Sequence, residues 1–214
     1  MRNISMMCVL IICTVVLPAK AQGDAKAKVV LDNMTKKVKS LKTLKANFEL
    51  KITGGKVKDT KKGNISVKGE KYHVELGGQE IICDNKTIWT YNKDAKEVQV
   101  NSFNASEQSM SPAKLLTNSY EKDYKYTYKG EKKEKGKTLD LIELTPNDNN
   151  SKASKVELMV DKATSMVSSG TIWEKNGNKI EYSISEFKPD ANIPDTYFAW
   201  DSKAHAGVEV VDLR

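Results

Sequence analysis

The 214 residues contain only three cysteines, two histidines and two arginines, and each shortage excludes a class of protein. Two of the cysteines, Cys8 and Cys13, fall in an N-terminal segment expected to be removed, which leaves Cys83 alone. No intramolecular disulfide can then form, and a zinc site built on paired cysteines is excluded. A lone thiol in an oxidising compartment is tolerated best when buried, and Cys83 is expected to be so. His73 and His205 form no ligand pair at helical or finger spacing, so no metal site is expected. His73 lies on the polar face of its strand, where solvation is expected, and His205 lies in a loop. No G-x-S-x-G, H-E-x-x-H or phosphate-cradling glycine loop occurs. Asp140 with Glu143, and Glu181 with Glu186, come nearest to acid pairs, but strand alternation sets the members of each pair on opposite faces. Neither an enzyme nor a cofactor is expected. Without arginine beyond Arg214 to make bidentate base contacts, nucleic-acid binding is not expected either.

Only one long apolar run exists. Met6 to Leu17 is interrupted by Thr14 alone, follows Arg2, and precedes Ala19-Lys20-Ala21, the small-x-small form that signal peptidase cleaves before Gln22. The run falls short of the roughly 20 apolar residues that span a bilayer. Residues 1–21 therefore read as a cleaved signal peptide and residues 22–214 as one mature domain. Cys8 follows Met7 and Cys13 follows Ile12, without the small residue that lipoprotein processing needs, so no lipid anchor is expected. A domain of this length buries about 70% of its unfolded surface and needs no staples. Removing Arg2 and Lys20 lowers the formal charge from +7 to +5. The lysines, such as Lys56, Lys58, Lys61 and Lys62, are interleaved with acids and read as a solvated, edge-protecting surface.

From Asp24 to Lys42 the apolar residues Ala27, Val30, Leu31, Met34, Val38 and Leu41 recur at spacings of three and four, which predicts an amphipathic helix. After Thr43 the period becomes two. Phe48, Leu50 and Ile52 alternate with polar residues, Ile65 and Val67 follow, and then Tyr72, Val74 and Leu76. Further strands are predicted near 79–83, 86–91, 96–101, 124–131, 138–145, 154–161, 166–174, 179–187 and 208–212, separated by turn signals such as Gly77-Gly78 and Asn176-Gly177. The fold class is thus mainly β (α+β). About 11 antiparallel strands exceed what a flat sheet carries, so the sheet should curl into a barrel or half-barrel. Ser111-Pro112, a capping serine before a proline at the first helical position, opens a short helix bearing Leu115 and Leu116. It reads as a plug or a lid across the curved sheet.

Alternation predicts a concave apolar surface lined by Phe48, Leu50, Ile65, Val67, Tyr72, Val74, Trp89, Tyr91, Val98, Val156, Leu158, Tyr182 and Ile184, with the aromatics of the Trp89 hairpin taken to point inward. A one-residue register error would invert any strand's assignment. Periodicity does not separate a filled core from an empty cavity.

The segment Gly78 to Val100, GQEIICDNKTIWTYNKDAKEVQV, resembles the periplasmic lipoprotein carrier family LolA. So do KANFEL at 45–50, GNISVKG at 63–69, SPAKLL at 111–116 and ELTP at 143–146, in the same order and spacing. The resemblance covers nearly the whole mature chain, and the Trp-bearing hairpin is its most specific piece. The lysine-rich style and the ending GVEVVDLR look like Bacteroidetes-type members. The resemblance implies an unclosed antiparallel barrel whose cavity accepts the acyl chains of lipoproteins, with Pro112, Leu115 and Leu116 on a lid. It implies a soluble monomeric periplasmic chaperone that receives lipoproteins from an inner-membrane ABC transporter of the LolCDE type and delivers them to the outer membrane, in many bacteria through LolB. One departure stands out. Many members carry an Arg-Pro latch after the Val-Lys of the second strand, but here Val67-Lys68 is followed by Gly69-Glu70. Lys68 offers a point charge without the planar fork of arginine. Alternatives are a lipid sensor or lipid carrier on the same half-barrel, a secreted hydrolase, and a structural envelope protein with a solid core.

Overall fold

Asp24 opens the one long helix among the described residues. In the computed structural model, which describes residues 24–55, 57–104 and 120–214, helix α1 spans Ala25–Ser40. The Asp24 carboxylate accepts the Lys26 and Ala27 backbone N–H groups, two of the donors that a helix start leaves unpaired. Its second oxygen accepts the Tyr128 N–H at 3.0 Å, so one side chain both caps the helix and ties it to a distant strand. That bond, ahead of the cap bonds themselves, holds the Asp24 carboxyl below its ordinary range. Ala27, Leu31, Met34 and Val38, one stripe at spacings of four, three and four, are buried.

The strands are β1 (Leu44–Gly54), β2 (Val57–Lys68), β3 (Lys71–Leu76), β4 (Gln79–Cys83), β5 (Thr87–Asn92) and β6 (Glu97–Ser102) in the first half. One helical turn, α2 (Tyr120–Asp123), leads into β7 (Tyr124–Glu134), β8 (Lys137–Pro146), β9 (Ala153–Asp161), β10 (Met166–Glu174) and β11 (Lys179–Pro189), and β12 (Glu209–Asp212) ends the chain. They form a single unclosed sheet of 12 strands, in the order β12-β6-β5-β4-β3-β2-β1-β11-β10-β9-β8-β7. Within β1 to β6 and within β7 to β11 each strand pairs antiparallel with the next in sequence, and β1 joins the two halves by pairing with both β2 and β11. The exception to antiparallel pairing is β12, which lies parallel to β6. Gly77 and Gly78, both at positive φ (53° and 82°), make the two-residue turn between β3 and β4 that β-branched residues would strain. The expected signal peptide and the Ser111–Thr117 helix lie outside the described residues.

Two clusters fill the concave face. Under α1, Leu31 and Met34 pack with Ile142, Leu144, Val156, Leu158 and Val160 of β8 and β9, and with Tyr120 and Tyr124. Beyond the helix, Leu44, Ala46, Ile65, Val67, Tyr72, Val74, Cys83 and Ile88 form the second cluster. The Cys83 thiol is fully buried and bonded by the Tyr72 hydroxyl, and desolvation raises its pKa.

The convex face of β3 to β6 is covered as well, by the strap between β11 and β12. A 3₁₀ turn at Asp195–Phe198 buries Phe198 completely. Lys68 and Lys71 hold Asp195 at 2.7 and 3.4 Å. Trp200 stacks on His205 at 3.9 Å between ring centroids, and Tyr91 meets both edge-on. The expectation that His73 is solvated is therefore wrong. It is 6% exposed, packs against the Tyr197 ring at 4.4 Å, and sets Nε2 2.8 Å from Glu80 Oε1. Alternation placed His73 on the face away from the concavity, but whether that face is wet depends on a strap far along the chain.

The His73 hydrogen bond, ahead of the opposing desolvation, holds the Glu80 carboxyl below its ordinary value of 4.5. A carboxylate whose folded pKa is depressed contributes stability that is fully present above its unfolded value and is lost as pH falls through the folded one. Glu80→Gln should thus be less stable than wild type at neutral pH, and the gap should close as pH drops below 4.5. Urea titration across pH 7 to 3, with EDTA present, measures this.

Candidate functional site

Between the two clusters the concave face is left open, and the side chains there enclose a cavity of 300 Å³. β1 lines it with Leu44, Ala46, Phe48 and Leu50, which alternate inward while Lys45, Asn47, Glu49 and Lys51 point out. Ile65 of β2, Val74 and Leu76 of β3 and Ile81 of β4 continue the wall on one side. Val167 and Ile172 of β10, with Ile180, Tyr182, Ile184 and Phe187 of β11, close the other. No charged side chain lines it. The single polar group is the Tyr182 hydroxyl, whose pKa burial raises, so it stays neutral. A smaller recess of 130 Å³ shares Val167, Ile184 and Phe187, adds Met166, and is otherwise polar, with Lys137 and Asp161 paired at 3.3 Å on its rim.

Two features of the backbone shape this cavity. β-Bulges shift the alternation in β11 and β10. Asn47 pairs with Glu186 but Phe48 with Ile184, so Ser185 is the extra residue and Phe187 joins Ile184 on the inner face. A similar shift between Val167 and Ser169 turns Val167 to the same side as Ile172. Glycines, in turn, make room for the rings. A Cβ at Gly63 would lie 2.8 Å from Phe48 Cζ and against the Glu75 carbonyl oxygen, and one at Gly170 would lie 2.5 Å from Tyr182 Cζ. Each ring thus lies over the bare backbone of the neighbouring strand, Phe48 opposite Gly63 and Tyr182 opposite Gly170.

Six of the thirteen expected lining residues meet here: Phe48, Leu50, Ile65, Val74, Tyr182 and Ile184. Val67 and Tyr72 share the concave face but are packed solid in the second cluster, and Val156 and Leu158 lie in the cluster that α1 covers. Trp89, Tyr91 and Val98 need correction. Trp89 stands opposite Ile82, itself opposite His73, and Tyr91 stands opposite Glu80 and Val98. All three therefore face the strap on the convex side. The physical reason is that alternation fixes which residues share a face but not which side of the sheet that face is on: β5 offers Ile88 to one side and Trp89 and Tyr91 to the other, and the one apolar face of β6, Val98 and Val100, is turned to the strap. Among the lining residues not anticipated, Leu44, Ala46, Leu76 and Ile180 only extend alternations visible in the sequence, whereas Val167 and Phe187 depend on bulges. Isolated glycines inside strand patterns, Gly63 and Gly170, were the available sign of close approach. Pro112, Leu115 and Leu116 fall outside the described residues. Lys68, the residue at the position before the missing latch, is committed to Asp195 on the convex face.

An open half-barrel with an apolar lumen and no chemistry inside it is the architecture of a binding protein. The family model for the outer membrane lipoprotein carrier protein LolA matches residues 39–201, and the chain belongs to that family. Among curated protein sequences none matches. Among solved structures, an uncharacterized conserved protein from Thermus thermophilus is similar with a TM-score of 0.61 at 12% identity, over 87% of this chain and 99% of that one. The lipoprotein LppX of Mycobacterium tuberculosis is similar with a TM-score of 0.52 at 11% identity, over 80% and 98%. At such identities these two show the shared fold. No helix among the described residues is long and apolar enough to cross a membrane.

Gly63→Ala should destabilise the fold. Removing glycine from a strand gains about 0.5–1 kcal/mol, but overpacking against the Phe48 ring and a backbone carbonyl that cannot turn away costs about 1–3 kcal/mol. Urea unfolding of the variant should show a net loss, accompanied by a change in the near-ultraviolet circular dichroism of the displaced aromatics.

Proposed function

We propose that this protein binds the acyl chains of lipoproteins in the concave cavity and carries them through the periplasm from the inner to the outer membrane. The observation that carries this reading is a cavity whose lining is apolar throughout, kept open between two packed clusters. Each methylene removed from water is worth about 0.8 kcal/mol, so an acylated protein does not cross an aqueous compartment unaided. A wall without charges, whose one directional group is the Tyr182 hydroxyl, holds such chains mainly by area, without committing to one headgroup or polypeptide. Family membership supports the same reading. On this view residues 1–21 direct export and are removed, cargo arrives from an ABC transporter of the LolCDE type, and a LolB-like acceptor can receive it. No cofactor takes part.

A fluorescent long-chain acyl probe should bind saturably and be displaced by long-chain amphiphiles. Leu50→Glu puts a carboxylate into the half-buried wall between Tyr182 and Lys61. It should weaken the probe at least ~10-fold, or ~1.4 kcal/mol, while Lys51→Gln on the outward face leaves binding unchanged. Absence of saturable binding in wild type would overturn the reading. Mass spectrometry of protein gently purified from the periplasm separates cargo classes, since acylated protein supports the carrier reading and free lipid alone supports a lipid carrier.

A further inference from the structure

On the convex face, away from the cavity, His73 of β3, Glu75 of β3 and Glu80 of β4 bring ligand atoms within 4.8 Å of one another. The strap adds a fourth group, with His205 Nε2 3.7 Å from Glu80 Oε2. The hydrogen bonds of the two histidines specify how these groups meet. His73 Nδ1 lies 2.9 Å from the Tyr197 carbonyl oxygen, and His205 Nδ1 lies 2.7 Å from the Asp201 carbonyl oxygen. A carbonyl only accepts, so in each ring Nδ1 carries the proton and Nε2 of the neutral imidazole presents a lone pair. Both lone pairs point at the same carboxylate. In that tautomer the buried Nε2 of His73 has no hydrogen for Glu80 and finds no other partner; it gives the hydrogen bond that lowers the Glu80 pKa only when the ring takes up a second proton.

Two acceptors 2.8 Å apart in a nearly dry site require a positive charge between them. One proton satisfies the His73 and Glu80 pair and nothing more. It leaves Glu75, the third member of the group, outside the pair, and His205 Nε2 at 3.7 Å from the other Glu80 oxygen. Lys93 attracts Glu80 more weakly and is exposed. A metal ion joins His73, Glu75 and Glu80 at once, and a closer approach of His205, which stands 3.7 Å from Glu80, supplies the fourth ligand. Imidazole Nδ1–H bonded to a backbone carbonyl, with Nε2 free, is the arrangement that orients metal-ligating histidines. The Glu75 carboxylate is likewise held, accepting from Asn64 Nδ2 at 3.3 Å. Two imidazoles and two carboxylates suit a tetrahedral divalent ion with bonds of about 2.0–2.2 Å.

We propose that His73, Glu75, Glu80 and His205 form a zinc site that fastens the strap to the convex face of the sheet. Zinc there links β3 and β4 to the loop preceding β12, and binding to the folded state alone raises stability by mass action.

The test uses the untagged mature chain, stripped with EDTA, freed of chelator by gel filtration, and titrated with zinc chloride in equilibrium dialysis with metal analysis. One zinc per chain and a rise in Tm on adding zinc are expected. Loss of an outer hydrogen-bond partner already costs about 10–100-fold in metal affinity, so His205→Ala, which removes a ligand, should lose at least that much, together with the Tm response. Because His205 also stacks on Trp200, Glu75→Gln serves as a second variant, of the same shape on a half-buried side chain. It too should weaken zinc by at least 10-fold. Failure of wild type to take up stoichiometric zinc overturns the proposal, whatever the outcome of acyl binding, and so does uptake that neither variant diminishes.

Discussion

A sheet that curls without closing leaves its concave face to be covered by something other than itself, and in this protein the covering is incomplete. Helix α1 packs on one half, where its Leu31 and Met34 meet β8 and β9. The other half packs on its own side chains. Between them the inner residues of β1, β10 and β11 face one another without filling the space. Everything functional that the fold offers follows from that gap. The helix is fixed by Asp24, which caps it and bonds β7 with the same carboxylate, so the edge of the covered region is set by a polar anchor rather than by packing alone.

The walls of the gap are rigid for a reason that the lining residues do not show. β1 is bonded on both sides, to β2 and to β11, and therefore holds the two halves of the sheet in one continuous ladder. The bulges at Ser185 and between Val167 and Ser169 bend β11 and β10, which form one wall of the gap. Gly63 and Gly170 then let Phe48 and Tyr182 lie flat against the backbone instead of standing into the lumen. Apolar volume is thus opened by the smallest residues of the neighbouring strands and not by trimming the lining side chains themselves.

The convex face is built on a different chemistry. Outside the strap it is a surface of lysine and glutamate pairs, with Lys155 over the Trp173 ring at 4.0 Å and between Glu143 and Glu157. Exposed pairs of this kind contribute little to stability and keep a long sheet soluble. Beneath the strap the charges are few, buried and convergent. Lys68 belongs to that side, since its ion pair with Asp195 fastens the strap, and it leaves the cavity without a cationic latch from β2.

What the sequence determined by itself was the local period. The stripe from Ala27 to Val38, the alternations of Phe48 and Leu50, of Val74 and Leu76, and of Tyr182 and Ile184, and the turn glycines between them define one helix and a run of short strands. Periodicity of two fixes which residues share a face but not which face is inside, because that sign is set by whatever packs on the sheet from elsewhere in the chain. Hence Trp89, Tyr91 and Val98, one apolar face shared by β5 and β6, went to the strap, and His73 left water. Bulges break the period at single residues, so Val167 and Phe187 reached the cavity by a route that no spacing rule carries. The meeting of His73, Glu75 and Glu80 with His205 was likewise decided only in three dimensions, since an antiparallel turn and a strap that crosses the sheet bring together side chains whose separation along the chain has no regular form.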